Sequence, residues 1–73
     1  MNRIIEILER VLENQDFKSS NDFIEDDILD SLDTFALVEE LEKEYGISIN
    51  GKDIVPENFM NVTAIMDMVK RYQ

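Results

Sequence analysis

Ser31 is the residue in this chain best placed by its surroundings to do chemistry. It sits between Asp30 and Asp33, next to an apolar Leu32, where a helical pattern begins. A hydroxyl at a helix start projects toward solvent at the positive end of the helix dipole. A phosphate attached there would meet backbone N–H groups that have no intrahelical partner. Taken alone, an Asp-Ser helix start favours reading Ser31 as an ordinary helix-start residue. The chain has no His and no Cys. It therefore has no imidazole base to activate Ser31, no Ser-His-Asp triad and no thiol nucleophile of its own. Covalent chemistry at Ser31 requires a second protein.

Carboxylates are the other abundant reactive groups. The chain carries 17 Asp and Glu against 7 Lys and Arg, a formal charge of −10. A calcium loop is the obvious use for them. Asp26-Asp27-Ile28-Leu29-Asp30 does not fit one, because Ile28 takes the third position and no Gly takes the sixth. Without Cys there is no zinc knuckle either, and no specific metal site is expected. Glu39, Glu40, Glu42 and Glu44 form an acidic face on the helix that follows Ser31. That face is either a solvated surface, with Glu39 and Lys43 as an i,i+4 pair, or a docking patch for basic enzymes. Leu32 is either a scattered surface apolar or a contact for an enzyme that reads this helix end.

Four segments must position these groups. Asn2 to about Asn14 has Ile4, Ile5, Leu8, Val11 and Leu12 at helical spacing. Asn2 is a candidate cap, and Glu6 and Arg10 a candidate i,i+4 pair. Gln15 to Asp30 is a long connection broken by Ser19-Ser20-Asn21-Asp22 and pinned by Phe23, Ile24, Ile28 and Leu29. A second helix runs from the Asp30-Ser31 cap to Tyr45, with Gly46 as its stop. Its core stripe is Leu37, Val38, Leu41 and Tyr45. Leu32 lies nearly opposite that stripe and Phe35 on its flank. Ile47-Ser48-Ile49 is too short to pair as a strand, and Asn50-Gly51 marks a turn. Pro56-Glu57-Asn58-Phe59 suits one helical turn. Asn61 then caps a last helix, Val62 to Tyr72, whose expected apolar face is Val62, Ile65, Met66, Val69 and Tyr72. Met66 is expected in the core, and Met60 and Met68 as gap fillers or rim residues. The expected fold is all-α: a small four-helix bundle, three longer helices and one short irregular one, in a single domain over residues 1–73.

Composition bounds the function. Hydrophobic residues make up 44% of the 73 residues, enough for a folded core rather than an acidic disordered tail. A core this small leaves about 3–5 kcal/mol of net stability, and self-repulsion of the acidic groups lowers it further. The charge argues against nucleic acid, since no basic stripe is present to displace phosphate counterions. It argues equally against anionic membrane surfaces. No apolar run is long enough to span a bilayer, and no signal-peptide pattern is visible. The expected address is the cytoplasm and the expected state a monomer.

The stretch Asp22-Phe23-Ile24-Glu25-Asp26-Asp27-Ile28-Leu29-Asp30-Ser31-Leu32-Asp33-Thr34 resembles the segment around the prosthetic-group serine of acyl carrier proteins. The frame extends through the acidic helix to the final Val62-containing helix and covers essentially the whole chain. The resemblance implies that Ser31 receives 4′-phosphopantetheine from coenzyme A, through a phosphopantetheinyl transferase and Mg²⁺. The arm would hold an acyl or aminoacyl group as a thioester, so the thiol comes with the cofactor. The chain itself would not be an enzyme. Its partners would be that transferase, an acyl- or aminoacyl-loading ligase and downstream acyl-processing enzymes. Asp30 and Leu32 match motif positions such enzymes read. Glu39 and Glu42 fall on the docking helix, and Phe59 and Val62 where the family lines the path of the arm.

Some residues depart from the fatty-acid carriers. Those usually have Gly two residues before the motif Asp, where this chain has Ile28. A typical acidic docking position is Ala36 here, and a neighbour is Lys43. Ile28-Leu29-Asp30-Ser31 and Pro56-Glu57-Asn58-Phe59 look closer to D-alanyl carriers and other aminoacyl or specialised free-standing carriers. The alternative from another class is a non-covalent acidic adaptor. It would bind a basic protein through the helix beginning at Ser31, independently of the serine.

Overall fold

The computed structural model describes residues 2–13 and 15–73, without the side chain of residue 2. The capping role expected of Asn2 and the first segment's expected end at Asn14 lie outside the described residues. Four α-helices follow in order: α1 (Asn2–Val11), α2 (Ser31–Tyr45), α3 (Pro56–Phe59) and α4 (Val62–Tyr72). Two 3₁₀ turns, Phe17–Ser19 and Gly51–Asp53, interrupt the connections. No strand occurs among the described residues. The bundle of three longer helices and one short one is the expected all-α fold.

α1 packs against α2 and α4, and α3 packs against α4. The core is a single cluster built from Ile4, Ile7, Leu8 and Leu12 of the first segment, Leu37, Val38 and Leu41 of α2, and Ile65, Met68 and Val69 of α4. Phe23 of the long connection and Phe59 of α3 seal it, each almost fully buried. The stripe on α1 is wider than expected and takes in Ile7 as well as Ile4 and Leu8, because this helix faces two neighbours at once. Ile5 and Val11 sit at its partly buried edges.

The face of α4 is rotated from the expected one. Met68 is completely buried, whereas Met66 is only partly so. At about 100° per residue, Ile65, Met68 and Val69 share a stripe centred near Ile65, and Met66 falls on its flank. Docking against both α1 and α3 selects that centre, and the flexible thioether of Met68 fits into the core there.

Two expected ion pairs do not form among the described residues, and one of them is replaced. Arg10 reaches across to Glu40 of α2 at 3.2 Å instead of pairing with Glu6. Neither Glu6–Arg10 nor Glu39–Lys43 comes within ion-pair distance, among the described residues. A bridge between packed helices competes successfully with a local pair worth only a few tenths of a kcal/mol.

The segment 15–30 is ordered by short-range bonds, by its buried aromatics and by one bond to the end of α3. Gln15 N–H donates to the Leu12 carbonyl at 2.9 Å, which turns the chain after α1. Phe17 then drops into the core and meets Phe23 edge-on, with ring centroids 6.1 Å apart. Asp22 Oδ1 accepts from the N–H groups of Ile24 and Glu25, both at 3.0 Å. The Phe23 carbonyl accepts from Ile28 and Leu29, and Phe23 N–H donates to the Met60 carbonyl. Asp27 takes a left-handed conformation, φ 56°, where the chain reverses. Phe23 thereby ties the approach to α2 to the end of α3.

Candidate functional site

Asp30 is the N-cap of α2. Its backbone is extended, and its Oδ1 accepts from Asp33 N–H at 2.8 Å. Its carbonyl accepts from the N–H and the Oγ1–H of Thr34 at 2.9 and 2.8 Å. These bonds fix where the helix begins and make Ser31 its first residue. The N–H groups of Ser31 and Leu32 precede the first intrahelical bond. Ser31 is exposed. At the other end, Gly46 closes α2 in the left-handed region, φ 62°, as its position after Tyr45 predicts.

A groove of about 420 Å³ opens beside Ser31. Ile24, Leu29, Ser31, Thr34 and Phe35 line it from the loop and α2. Ile54, Val55, Pro56 and Phe59 line it from the segment that leads into α3, and Asp27 and Asp30 contribute carboxylates. The hydroxyl thus stands where a largely apolar cleft meets solvent. An elongated group with an anionic end and a neutral body suits such a place. The anionic end would lie by the helix N-terminus and the body along the apolar wall.

The candidate residues do not all converge there. Ser31, Asp30 and Phe59 line the groove. Leu32 lies outside it and is 79% exposed, and Phe35, one helical turn on, is 59% exposed. Glu39 continues the exposed side of α2. Glu42 instead anchors the chain as it leaves α2. Its carboxylate accepts from Ile49 N–H at 2.8 Å, and its carbonyl accepts from Gly46 and Ile47. It is only partly exposed. Val62 also departs from expectation. It is half-buried and lines a separate cavity with Ile5, Phe17 and Phe23, on the α1 side of the bundle. The extended Asn61 cap, whose Oδ1 accepts from Ala64 N–H, starts α4 in that direction.

Sequence spacing missed Ile54, Val55 and Phe35 as groove residues. Phe35 is legible as a large apolar residue off the core stripe. Ile54 and Val55 have no periodic signal, because they lie between a 3₁₀ turn and a single helical turn.

A serine-bearing helix start, capped by Asp and opening on an apolar cleft, agrees with the comparison against known families. The model of the phosphopantetheine attachment site matches residues 2–69. The chain belongs to that family. Compared with curated proteins and with solved structures, the chain shows no match.

The family is defined by 4′-phosphopantetheine attached to a serine, and its members are carriers rather than catalysts. The acidic, all-helical chain described above is therefore a phosphopantetheine-carrying carrier domain, and such domains interact with transferases and acyl-processing enzymes. Among the described residues no helix is long and apolar enough to cross a membrane, and no cluster of potential metal ligands is present.

Proposed function

We propose that Ser31 carries the 4′-phosphopantetheine arm and that the chain presents an acyl or aminoacyl thioester to partner enzymes. The observation that carries this assignment is the position of Ser31: exposed, first in α2, and at the mouth of the apolar groove. The other serines are Ser19, Ser20 and Ser48, and none of them lines that groove. Ser20 is also occupied, donating to Asp26 Oδ2 at 2.6 Å.

Each residue of the site has a part. Ser31 Oγ is the acceptor atom; its proton passes to the transferase as the phosphorus–oxygen bond forms and adenosine bisphosphate leaves. Asp30 holds the helix start and so fixes the backbone from which the hydroxyl projects. The free N–H groups of Ser31 and Leu32 favour an anion at that point. Ile54, Val55 and Phe59 offer apolar surface to the body of the arm. When bound, the group supplies a thiol that forms a thioester, on a tether that raises the local concentration of cargo at partner active sites.

Partners dock on the exposed side of α2, through Leu32, Phe35 and Glu39. Two large exposed apolar residues one turn apart give such a partner an apolar contact. The net charge of −10 favours a basic surround. Ile28, Ala36 and Lys43 support an aminoacyl or specialised cargo over housekeeping fatty-acid synthesis. Ala36 and Lys43 are exposed on α2, where fatty-acid carriers have an acidic docking position and its neighbour. We place the chain in the cytoplasm as a monomer, with a phosphopantetheinyl transferase and a loading ligase as its first partners.

Intact-protein mass spectrometry tests the assignment. The chain and Ser31→Ala are incubated with coenzyme A, Mg²⁺ and a broad-specificity phosphopantetheinyl transferase. A single phosphopantetheine on the parent and none on the variant is the expected result. Equal modification of both would overturn the assignment of Ser31.

A further inference from the structure

The last turn of α4 grips the chain at two points, one in the connection after α2 and one in α3. Tyr72 donates its hydroxyl proton to Asp53 Oδ2, and its phenol oxygen accepts from Asn50 N–H at 3.0 Å. Arg71, its neighbour, donates to Asn58 Oδ1 at 3.4 Å. Asn58 in turn closes the segment on itself, donating from Nδ2 to the Asp53 carbonyl at 2.7 Å. Asp53 and Asn58 are therefore the two ends of a short span fastened to α4. Ile54, Val55 and Pro56, which lie between those ends, form the wall of the groove beside Ser31.

Apart from these bonds the span is held by Ile54, which packs against the edge of the core, and by the buried Phe59 just beyond it. Ile54 and Val55 are only partly buried and Pro56 is exposed. The backbone bonds across it are local: Asp53 N–H to the Asn50 carbonyl, Ile54 N–H to Gly51 and Asn58 N–H to Val55. Local bonds shape such a segment but do not fix its distance from α2. The cross-links from α4 do, together with the packing of Ile54 on the core and of α3 on α4.

We propose that Tyr72 and Asp53 are positioning residues that set the groove wall against which the Ser31-borne arm lies. The wall's role toward the arm rests on the assignment of Ser31 to the prosthetic group; the clamp itself does not. Tyr72 touches neither Ser31 nor the groove, and acts only through Asp53 and Asn50. The charged groups around the phenol are Asp53, Lys52 and Arg71. The bond does not require a charge on Asp53, since a neutral amide oxygen accepts from a phenol equally well in geometry.

That property supplies the test. Amide hydrogen exchange is measured by NMR on the unmodified chain and on Tyr72→Phe, Asp53→Ala and Asp53→Asn. Loss of one anchoring hydrogen bond should speed exchange at Ile54 and Asn58 by about tenfold in Tyr72→Phe and Asp53→Ala, relative to core amides such as Leu8 and Leu41. Asp53→Asn should restore the parent rates to within about threefold. Uniform acceleration of all amides, or Asp53→Asn behaving like Asp53→Ala, would overturn the clamp. The same chains are then loaded with phosphopantetheine. Arm-induced shift changes at Ile54 and Val55 should be present in the parent and at most half as large in Tyr72→Phe. Equal changes in both would refute the wall's role toward the arm while leaving the exchange result intact. A parent that cannot be loaded at Ser31 would refute the Ser31 assignment instead, and with it the arm's place at this wall.

Discussion

Replacing Asp30 by Ala separates two roles that one residue combines. The substitution removes a single bond to the backbone, from Asp33 N–H to Oδ1 at 2.8 Å. The carbonyl of residue 30, which accepts from Thr34, is unaffected. Loss of an Asp cap in favour of Ala costs about 1 kcal/mol. Unfolding entropy near 60 °C is about 2.1 cal/mol/K per residue, so 73 residues give about 0.15 kcal/mol/K. The midpoint should therefore fall by about 6–7 °C in Asp30→Ala. Asn caps as well as Asp, and Asp30→Asn should melt within about 2 °C of the parent. Thermal denaturation followed by circular dichroism measures both. An unchanged midpoint in Asp30→Ala would refute the cap. The pair also isolates recognition: slower phosphopantetheinylation of Asp30→Asn at unchanged stability would show that the transferase reads the carboxylate.

Further outcomes are expected. Raising NaCl from low to physiological concentration shortens the screening length from about 30 Å to about 8 Å, and at a net charge of −10 the melting temperature should rise; a flat salt titration would contradict it. The hydrogen bond to Asp53 raises the Tyr72 pKa above 10.0, against the opposing donation from Asn50 N–H. A pKa higher folded than unfolded gives a contribution complete below pH 10.0 and lost as pH rises through the folded value. Urea midpoints of the parent should therefore fall more steeply than those of Tyr72→Phe above pH 10.0, and parallel curves would refute this. Leu32→Ser and Phe35→Ser remove exposed side chains, so stability should hold to within about 0.5 kcal/mol. The KM of the transferase for the chain should rise, and an unchanged KM in both would remove these residues from the docking face.

The helices and their caps were legible because their signals are local. Asp30, Gly46, Pro56 and Asn61 each act within a few residues of their own position, and each stands where its type predicts. Ser31 stood out for the same reason, as a hydroxyl next to a cap. Faces were legible less completely. Periodicity gives the direction of an apolar stripe but not how many neighbours it must meet. Ile7 and Met68 entered the core because α1 and α4 each pack against two other helices. Interactions that join distant residues left no mark in the spacing. The Arg10–Glu40 bridge, the Glu42 carboxylate under Ile49 and the Tyr72–Asp53 bond all depend on the finished packing. The groove wall at Ile54 and Val55 belongs with them, since an irregular segment acquires a face only from what it is fastened to.

The central claim is that one particular serine bears the arm. Site mapping of the loaded chain tests it most directly. Cleavage after glutamate yields a peptide from Asp26 to Glu39 in which Ser31 is the sole serine, while Ser19, Ser20 and Ser48 fall in other peptides. The account predicts the whole phosphopantetheine mass on the Asp26–Glu39 peptide, with fragment ions assigning it to Ser31. The same mass on a peptide bearing Ser19, Ser20 or Ser48, with Asp26–Glu39 unmodified, would contradict it.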